Sequence, residues 1–192
     1  MARYLARIVN ASGYGPSQAR DLSTRIREAL GSREAIGNLR ITSQALEFDL
    51  FAGNIRELES RKSLLESVIG KFATLKLLDQ PPAPNRGKLE VLREGIQLFN
   101  EERFWECHEV LEQIWHPAKG TERDTIQGMI LTAAALVHAQ KDENEVSLRM
   151  LKKAENKLGT QGAYEGIDLN RVRRSVHDIV QIGHPKAFKI NM

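Results

Sequence analysis

The chain has 192 residues, of which 41% are hydrophobic and 28% charged, an ordinary composition for a globular protein of one or two domains. Its longest apolar run, MILTAAALVHA, is too short to cross a membrane, and its N-terminus lacks the apolar segment of a signal peptide. A single cysteine cannot form an internal disulfide bond, so we expect a cytoplasmic protein without a membrane span.

The formal net charge of +3 is unevenly distributed along the chain. Residues 1–80 have a net charge of +3, residues 81–145 of −5 and residues 146–192 of +5. Segments of opposite charge favour self-association or the binding of an anionic partner. Ordinary solvated helix faces explain the same distribution, so both interpretations stay open.

The first 80 residues switch repeatedly between strand and helix periodicity. An alternating strand, RYLARIVN, precedes a helical segment, and a second strand-like stretch precedes a helix that Asn54 caps. A third strand, KFATLKLL, completes a β-α-β-α-β order, which predicts a small α+β domain over residues 1–80. A bend near Thr42–Gln44 would split the second strand and make the domain four-stranded and ferredoxin-like, and the pattern leaves this alternative open.

Three prolines within four residues of LLDQPPAPNRGK exclude helix and central strand there. We therefore predict a proline-rich linker at residues 81–87 and a second, all-α domain at 88–192. Its helical periodicity and breaker residues predict an array of about five helices, which makes the whole chain predominantly α. The predicted helices are 88–100, 103–115, 122–140, 145–158 and 168–182.

The stretch FWECHEVLEQIWH, residues 104–116, concentrates two histidines, three glutamates, two tryptophans and the cysteine. At about 100° per residue, His108 and Glu112 lie at the border of an apolar stripe, one turn apart and able to contact each other. Cys107 lies on the apolar side and is expected to be buried and inert. Glu106 and Gln113 are predicted to point away from that stripe.

The next helix carries polar residues within what reads as an apolar stripe. Because buried polar groups need partners, we expect the two helices to face each other, with His108 and Glu112 meeting polar groups of this stripe. The stripe consists of Arg123, Gln127, Ile130, Leu131, Ala134 and His138.

These two helices resemble the family named domain of unknown function 309 over about residues 88–182. The family's two motifs, F-x-E-(A/C)-H-E-x-L-E-x-x-W and Q-G-(L/I/M)-I-x-x-A-A-x-x-x-H, are present in order, with Cys107 where alanine is usual. The resemblance implies an all-helical fold and implies no established activity. The matching residues are Phe104, Glu106, Cys107, His108, Glu109, Leu111, Glu112 and Trp115, then Gln127, Gly128, Ile130, Ala133, Ala134 and His138.

The favoured functional hypothesis is a helical module that binds a ligand or a partner. In this hypothesis a polar network between the two helices holds them in register and forms part of the binding surface. The residues concerned are His108, Glu112, Trp105, Trp115, Arg123, Gln127 and His138.

Catalysis is the alternative, and the sequence leaves open whether the protein is an enzyme. HEVLE is similar to the H-E-x-x-H zinc motif, so His108, Glu112 and His138 would hold a divalent metal cofactor, with Glu109 as the base of a hydrolase. His108 paired with Glu112 would also serve as a general base without metal.

A nucleic-acid-binding accessory role is the remaining alternative. It rests on basic residues near the C-terminus, which are equally typical of a solvated helix face. They are Arg171, Arg173, Arg174, Lys186 and Lys189.

Overall fold

The structure, a computed structural model, describes residues 1–78 and 86–192. These residues divide into two compact units, the first with residues up to 78 and 140–142, the second with 86–139 and 143–192. Most of the predicted linker, 81–87, lies outside the described residues. The predicted boundaries at 80 and 88 therefore stay predictions.

The first unit combines one antiparallel sheet with two helices. A short 3₁₀ turn, Pro16–Gln18, precedes the first helix. In chain order the elements are β1 (Ala2–Val9), α1 (Ala19–Ala29), β2 (Ile36–Ile41), β3 (Ala45–Ala52), α2 (Ile55–Val68) and β4 (Phe72–Leu77).

The sheet has the strand order β2-β3-β1-β4, with all neighbours antiparallel. The second strand-like stretch of the sequence forms two strands, because Thr42 turns the chain back: its hydroxyl accepts hydrogen bonds from the backbone N–H groups of Gln44 and Ala45. The resulting β-α-β-β-α-β order is that of a ferredoxin-like unit.

Alternation along the strands separates an apolar sheet face from a charged one. Ala6, Ile8, Leu46, Phe48 and Leu50 form one core with the buried residues of α1 and α2. The side chains between them pair by charge across the strands. Arg7 Nε lies 2.9 Å from Glu47 Oε1, and Arg3 Nη2 lies 3.0 Å from Asp49 Oδ2.

The second unit consists of five helices and a two-stranded hairpin, so the prediction of an α+β part followed by a helical array is confirmed. Each helix boundary lies within two residues of its predicted position. The missed hairpin occupies the loop before the last helix. The elements are α3 (Lys88–Asn100), α4 (Phe104–Trp115), α5 (Gly120–Ala139), α6 (Asn144–Lys157), β5 (Ala163–Tyr164), β6 (Ile167–Asp168) and α7 (Leu169–Ile182).

Helix α5 packs between α4 and α6 and is the central helix of this unit. Gly128 permits a close approach: a Cβ atom there would lie 2.8 Å from the backbone nitrogen of Leu158, just after α6. Gly95 of α3 similarly lies against the side chain of Leu111 of α4. Small residues at these positions therefore set the spacing between the helices.

An ion-pair cluster joins the start of α3, the start of α5 and the β5–β6 hairpin. Lys88 Nζ lies 2.9 Å from Glu122 Oε1 and 2.7 Å from Glu165 Oε1, and the Tyr164 hydroxyl donates to Glu122 at 3.0 Å. The hydrogen bond from Lys88, followed by that from Tyr164, lowers the pKa of the Glu122 carboxyl. Burial, then Glu122, raises the pKa of Tyr164 to about 12.

No helix within residues 1–78 and 86–192 has the length and apolar character needed to cross a membrane.

Candidate recognition face on helices α4 and α5

One side of α4 faces the core of the helical unit. Phe104, Cys107, Leu111 and Ile114 are buried there, and Phe104 makes an edge-to-face contact with Phe99 of α3 at a ring-centroid distance of 5.0 Å. Burial raises the pKa of the Cys107 thiol, which disfavours the thiolate. The expectation of an inert core cysteine agrees with this environment.

The sequence predicted that Glu106 points away from the apolar stripe of α4, but its side chain is buried. Arg103, immediately before α4, forms a fork with it: Nε donates to Oε2 at 2.7 Å and Nη2 to Oε1 at 2.8 Å. A bidentate, charge-assisted pair of this kind satisfies both carboxylate oxygens. Glu106 therefore has a structural role at the beginning of α4.

His108 lies beside two carboxylates on the partly exposed side of α4. Its Nδ1 is 3.3 Å from Glu109 Oε1, and its Nε2 is 3.5 Å from Glu112 Oε1, the predicted i, i+4 contact. One ligand atom from each of these three residues lies within 4.8 Å of the others. The cluster therefore places Glu109 among the ligand candidates, although the sequence suggested it as a base.

The polar stripe of α5 is not the core stripe that the sequence predicted. Ile130 of that stripe is buried as predicted, but Arg123, Gln127, Leu131, Ala134 and His138 are only partly buried. The buried sides of this helix instead hold Thr125 and Thr132, together with most of its apolar residues.

Both buried threonines satisfy their hydroxyl groups within the helix. Thr125 donates to the carbonyl of Thr121 at 2.9 Å, and Thr132 donates to that of Gly128 at 2.8 Å. Threonine can therefore occupy the core without a partner from another helix. This internal hydrogen bonding explains why polarity alone indicated the wrong side of α5.

Trp115 and Arg123 join the end of α4 to the start of α5. The Arg123 guanidinium carbon lies 4.2 Å from the centroid of the Trp115 ring, a cation–π contact. Arg123 also donates to the carbonyl oxygens of His116 and Ala118 at 3.3 and 3.4 Å. The indole Nε1 of Trp115 is buried and has no hydrogen-bond acceptor among the described residues.

The other side chains that were predicted to join the two helices form no hydrogen bond from one helix to the other within the described part of the chain. His138 Nδ1 pairs with Glu143, at the beginning of the next helix, and lies outside the metal-ligand cluster of α4. None of the hydrogen bonds within the described ranges joins His108 or Glu112 to Gln127. The two helices therefore present these side chains outward, as one surface, and do not enclose them.

We call this surface the α4–α5 face. The short connection makes the two helices antiparallel neighbours, and the Trp115–Arg123 contact aligns the end of one with the start of the other. Successive turns then place α4 and α5 side chains next to each other along the pair. The face consists of Trp105, His108, Glu109, Glu112 and Trp115 on α4, and Arg123, Gln127, Leu131 and Ala134 on α5.

Two of the five basic residues considered for nucleic acid have structural partners. Arg173 Nη1 donates to the carbonyl of Gln161 at 2.8 Å and so fixes the loop before the hairpin. Lys189 donates to the carbonyl of Asn100, the last residue of α3. Arg171, Arg174 and Lys186 are at least partly exposed, which leaves a smaller basic set than the sequence suggested.

Comparison with known proteins identifies the family of the helical unit. Residues 92–150 match the family model described as a domain of unknown function, DUF309. The matched segment contains both motifs of the α4–α5 face and is the part of the helical unit that corresponds to this family.

Two relatives extend the comparison. An uncharacterised protein of Aquifex aeolicus (strain VF5) is 26% identical over 108 residues, which cover 54% of this chain and 32% of the relative. This chain therefore spans about a third of that protein's length. A conserved hypothetical protein from Thermus thermophilus, known as a crystal structure, is 36% identical over 46% of this chain and 94% of its own, with a TM-score of 0.42. The family and these relatives assign no activity to the chain.

Proposed function

We propose that the helical unit is a recognition module and that the α4–α5 face binds a protein partner. The observation that carries this proposal is the cation–π pair of Trp115 and Arg123, two partly exposed residues at the junction of α4 and α5. Together they offer a partner an aromatic surface and guanidinium hydrogen-bond donors.

The composition of the face supports a protein partner. Tryptophan and arginine are enriched among the residues that dominate binding energy at protein interfaces. Here they adjoin Gln127, which offers an amide donor and acceptor, and the apolar side chains of Leu131 and Ala134. The acidic side chains of Glu109 and Glu112 lie on α4 beside them, so the face also fixes the orientation of a charged partner.

A catalytic role is less well supported by the same geometry. Enzymes act in concave sites that exclude water. The Glu109 and Glu112 side chains are 48% and 39% exposed. Several cavities lined by described residues lie away from this cluster, at the C-terminal end of α1, beside α2 and along α3 and α7.

Quantitative co-purification from an extract of the native host tests the proposal. Trp115→Phe keeps an aromatic ring but reduces the surface on which Arg123 stacks, and Gln127→Ala alters the face without touching the core. Lys152→Ala, at an exposed position of α6, is the control. We expect at least one protein to be recovered with the wild type and the control and to be depleted about tenfold or more with both face variants, a difference of about 1.4 kcal/mol. Identical recovery with all four folded proteins would contradict the proposal.

A divalent metal site is the second candidate, because His108, Glu109 and Glu112 place three ligand atoms within 4.8 Å. An imidazole nitrogen and carboxylate oxygens are ligands that Zn²⁺, Mn²⁺ and Fe²⁺ accept. A bound cation would supply Lewis-acid activation of water, as a hydrolase requires. His138, the third ligand in the sequence-based hypothesis, would have to leave Glu143 to contribute.

Metal analysis separates this candidate from the first. After dialysis against Zn²⁺ and removal of excess ion, a real site retains about one ion per chain. His108→Ala should abolish retention, whereas His177→Ala, which removes an exposed histidine paired with Glu155, should leave it unchanged. Equal retention by both variants would eliminate the site.

The compartment that we propose is the cytoplasm. The single cysteine is reduced and buried in the core of the helical unit, an arrangement that suits a reducing environment.

A further inference from the structure

The segment 184–192, which follows α7, lies along α3 as a docked peptide. It has no regular secondary structure; Phe188 and Ile190 are its apolar anchors, and Pro185 is also buried. Ile190 is buried with the helical core, and Phe188 packs edge-to-face on Phe99 at a ring-centroid distance of 5.2 Å. The residues between and after these anchors are exposed.

Asn100, at the end of α3, recognises the backbone of this segment. Its Nδ2 donates to the carbonyl of Ile190 at 2.7 Å, and its Oδ1 accepts the N–H of the same residue at 2.8 Å. Because Asn100 binds the backbone N–H and carbonyl groups of one residue, this contact does not depend on the side chain that the peptide has at that position. The backbone of a β-strand that is added to a sheet is recognised in a similar way. The two apolar anchors then supply the sequence preference.

Clefts remain open on both sides of the docked segment. One is lined by Arg93, Ile96, Gln97 and Asn100 of α3, and the other by residues of α7 that include Asp178 and Ile182. Gly183, whose positive φ of 74° ends α7, connects that helix to the segment. We call the segment the strap, because Asn100 and the apolar side chains hold it against the helices.

We propose that the groove between α3 and α7 is a peptide-binding site, filled intramolecularly by residues 184–192. Its external ligand is an extended segment of a partner protein with an aromatic and an aliphatic residue two positions apart. A tethered segment competes at an effective concentration of about millimolar, so an external peptide binds strongly only when the strap is weakened. This groove lies on α3 and α7 and is separate from the α4–α5 face.

The test uses the full chain and a fluorescent peptide with the sequence HPKAFKINM, followed by anisotropy. Phe188→Ala/Ile190→Ala in the protein weakens the strap and should bind the peptide at least about ten times more tightly than the wild type does. Adding Asn100→Ala should reverse that gain, and a peptide with alanine in place of phenylalanine and isoleucine should not bind. The single variant Phe188→Ala, which removes the less buried anchor, should give an intermediate affinity.

Three results would overturn the proposal. The first is a folded double variant that does not bind the peptide, and the second is binding that is indifferent to Asn100→Ala. The third is a double variant that is unfolded by circular dichroism, since the segment would then be an essential part of the core. Concentration-dependent dimers of the wild type in light scattering would assign the groove to the segment of a second copy, against an external partner.

Discussion

At the scale of single residues, Trp115 has the guanidinium carbon of Arg123 at 4.2 Å from its ring centroid. A cation–π contact of this kind contributes about 0.5–2 kcal/mol. The guanidinium of Arg123 covers one side of the indole and holds it in place. The pair is therefore organised before a partner arrives, which reduces the entropy lost on binding.

Glu106 gives a prediction for stability at the same scale. Glu106→Gln removes the charge that Arg103 grips through two hydrogen bonds, and we expect a loss of about 1–3 kcal/mol in the free energy of unfolding, measured with urea. Glu145→Gln is the matched control, because Glu145 also lies in the first turn of its helix but is exposed. Equal losses in the two variants would show that the helix dipole, and not the fork, accounts for the effect.

The environments of some of these side chains could be predicted from the sequence, and those of others could not. The contact of His108 with Glu112 follows from the spacing of one helical turn, and it is present. The burial of Glu106 was missed because the sequence placed Arg103 within the helix, whereas Arg103 precedes α4 and its guanidinium pairs with Glu106. The acceptor-free indole of Trp115 depends on tertiary packing, which spacing does not encode.

At the scale of elements, close helix contacts give the second stability prediction. In Gly128→Ala the added Cβ would meet the backbone nitrogen of Leu158, which cannot move as a side chain tip can. We expect a loss of about 1–3 kcal/mol, seen as a lower melting temperature. Gly162→Ala is the control, since its Cβ would meet only the Asn170 side chain at 3.5 Å. A Gly128→Ala protein as stable as this control would contradict the packing account.

The Lys88 cluster gives a prediction for pH. Glu122 has a lowered pKa, so its stabilisation is present above the ordinary carboxyl pKa and is lost as the pH falls through the lowered value. Hydrogen bonds, first to Glu165 and then to Glu122, raise the pKa of Lys88, so its contribution is present below the ordinary lysine pKa and is lost as the pH rises through the raised value. The cluster therefore stabilises the unit between the acidic and the strongly alkaline range.

Lys88→Met should accordingly lower the melting temperature at about pH 7 and have a smaller effect at about pH 2, well below the ordinary carboxyl pKa of about 4. Lys152→Met, an exposed lysine of α6, is the matched control and should change little at either pH. A Lys88→Met deficit that persists undiminished in acid would mean that packing of the lysine stem, and not its charge, stabilises these elements.

The order of the helices and strands could be predicted from the sequence better than their packing could. Helix boundaries were predicted within two residues because caps and breakers such as Asp168 and Gly183 act locally. The orientation of α5 was wrong, because a central helix is apolar on most of its circumference and its buried threonines bond internally. The β5–β6 hairpin was missed because each of its strands has only two residues.

At the scale of the whole molecule, the helical unit has a continuous core of its own. That core extends from Val91 in α3 to Ile190 in the segment that follows α7. The acidic residues of the α4–α5 face belong to the negatively charged part of the chain, whereas the segment from 146 onward is basic. This uneven distribution of charge favours a partner that presents basic residues to the acidic part and acidic residues to the basic part.

We expect a fragment of residues 88–192 to fold alone, because it contains this entire core. Thermal unfolding followed by circular dichroism should show helical signal and one cooperative transition. A fragment without a cooperative transition would contradict the domain boundary that we propose at residue 88.

The central claim is that the α4–α5 face binds a partner through the Trp115 ring and the Arg123 guanidinium stacked on it. The most direct measurement is the Kd of the recovered partner for the wild-type protein and for Trp115→Phe, by titration calorimetry, with Lys152→Ala as control. The account predicts a Kd about tenfold weaker or more for Trp115→Phe and an unchanged Kd for the control. An equal Kd for all three folded proteins would contradict it.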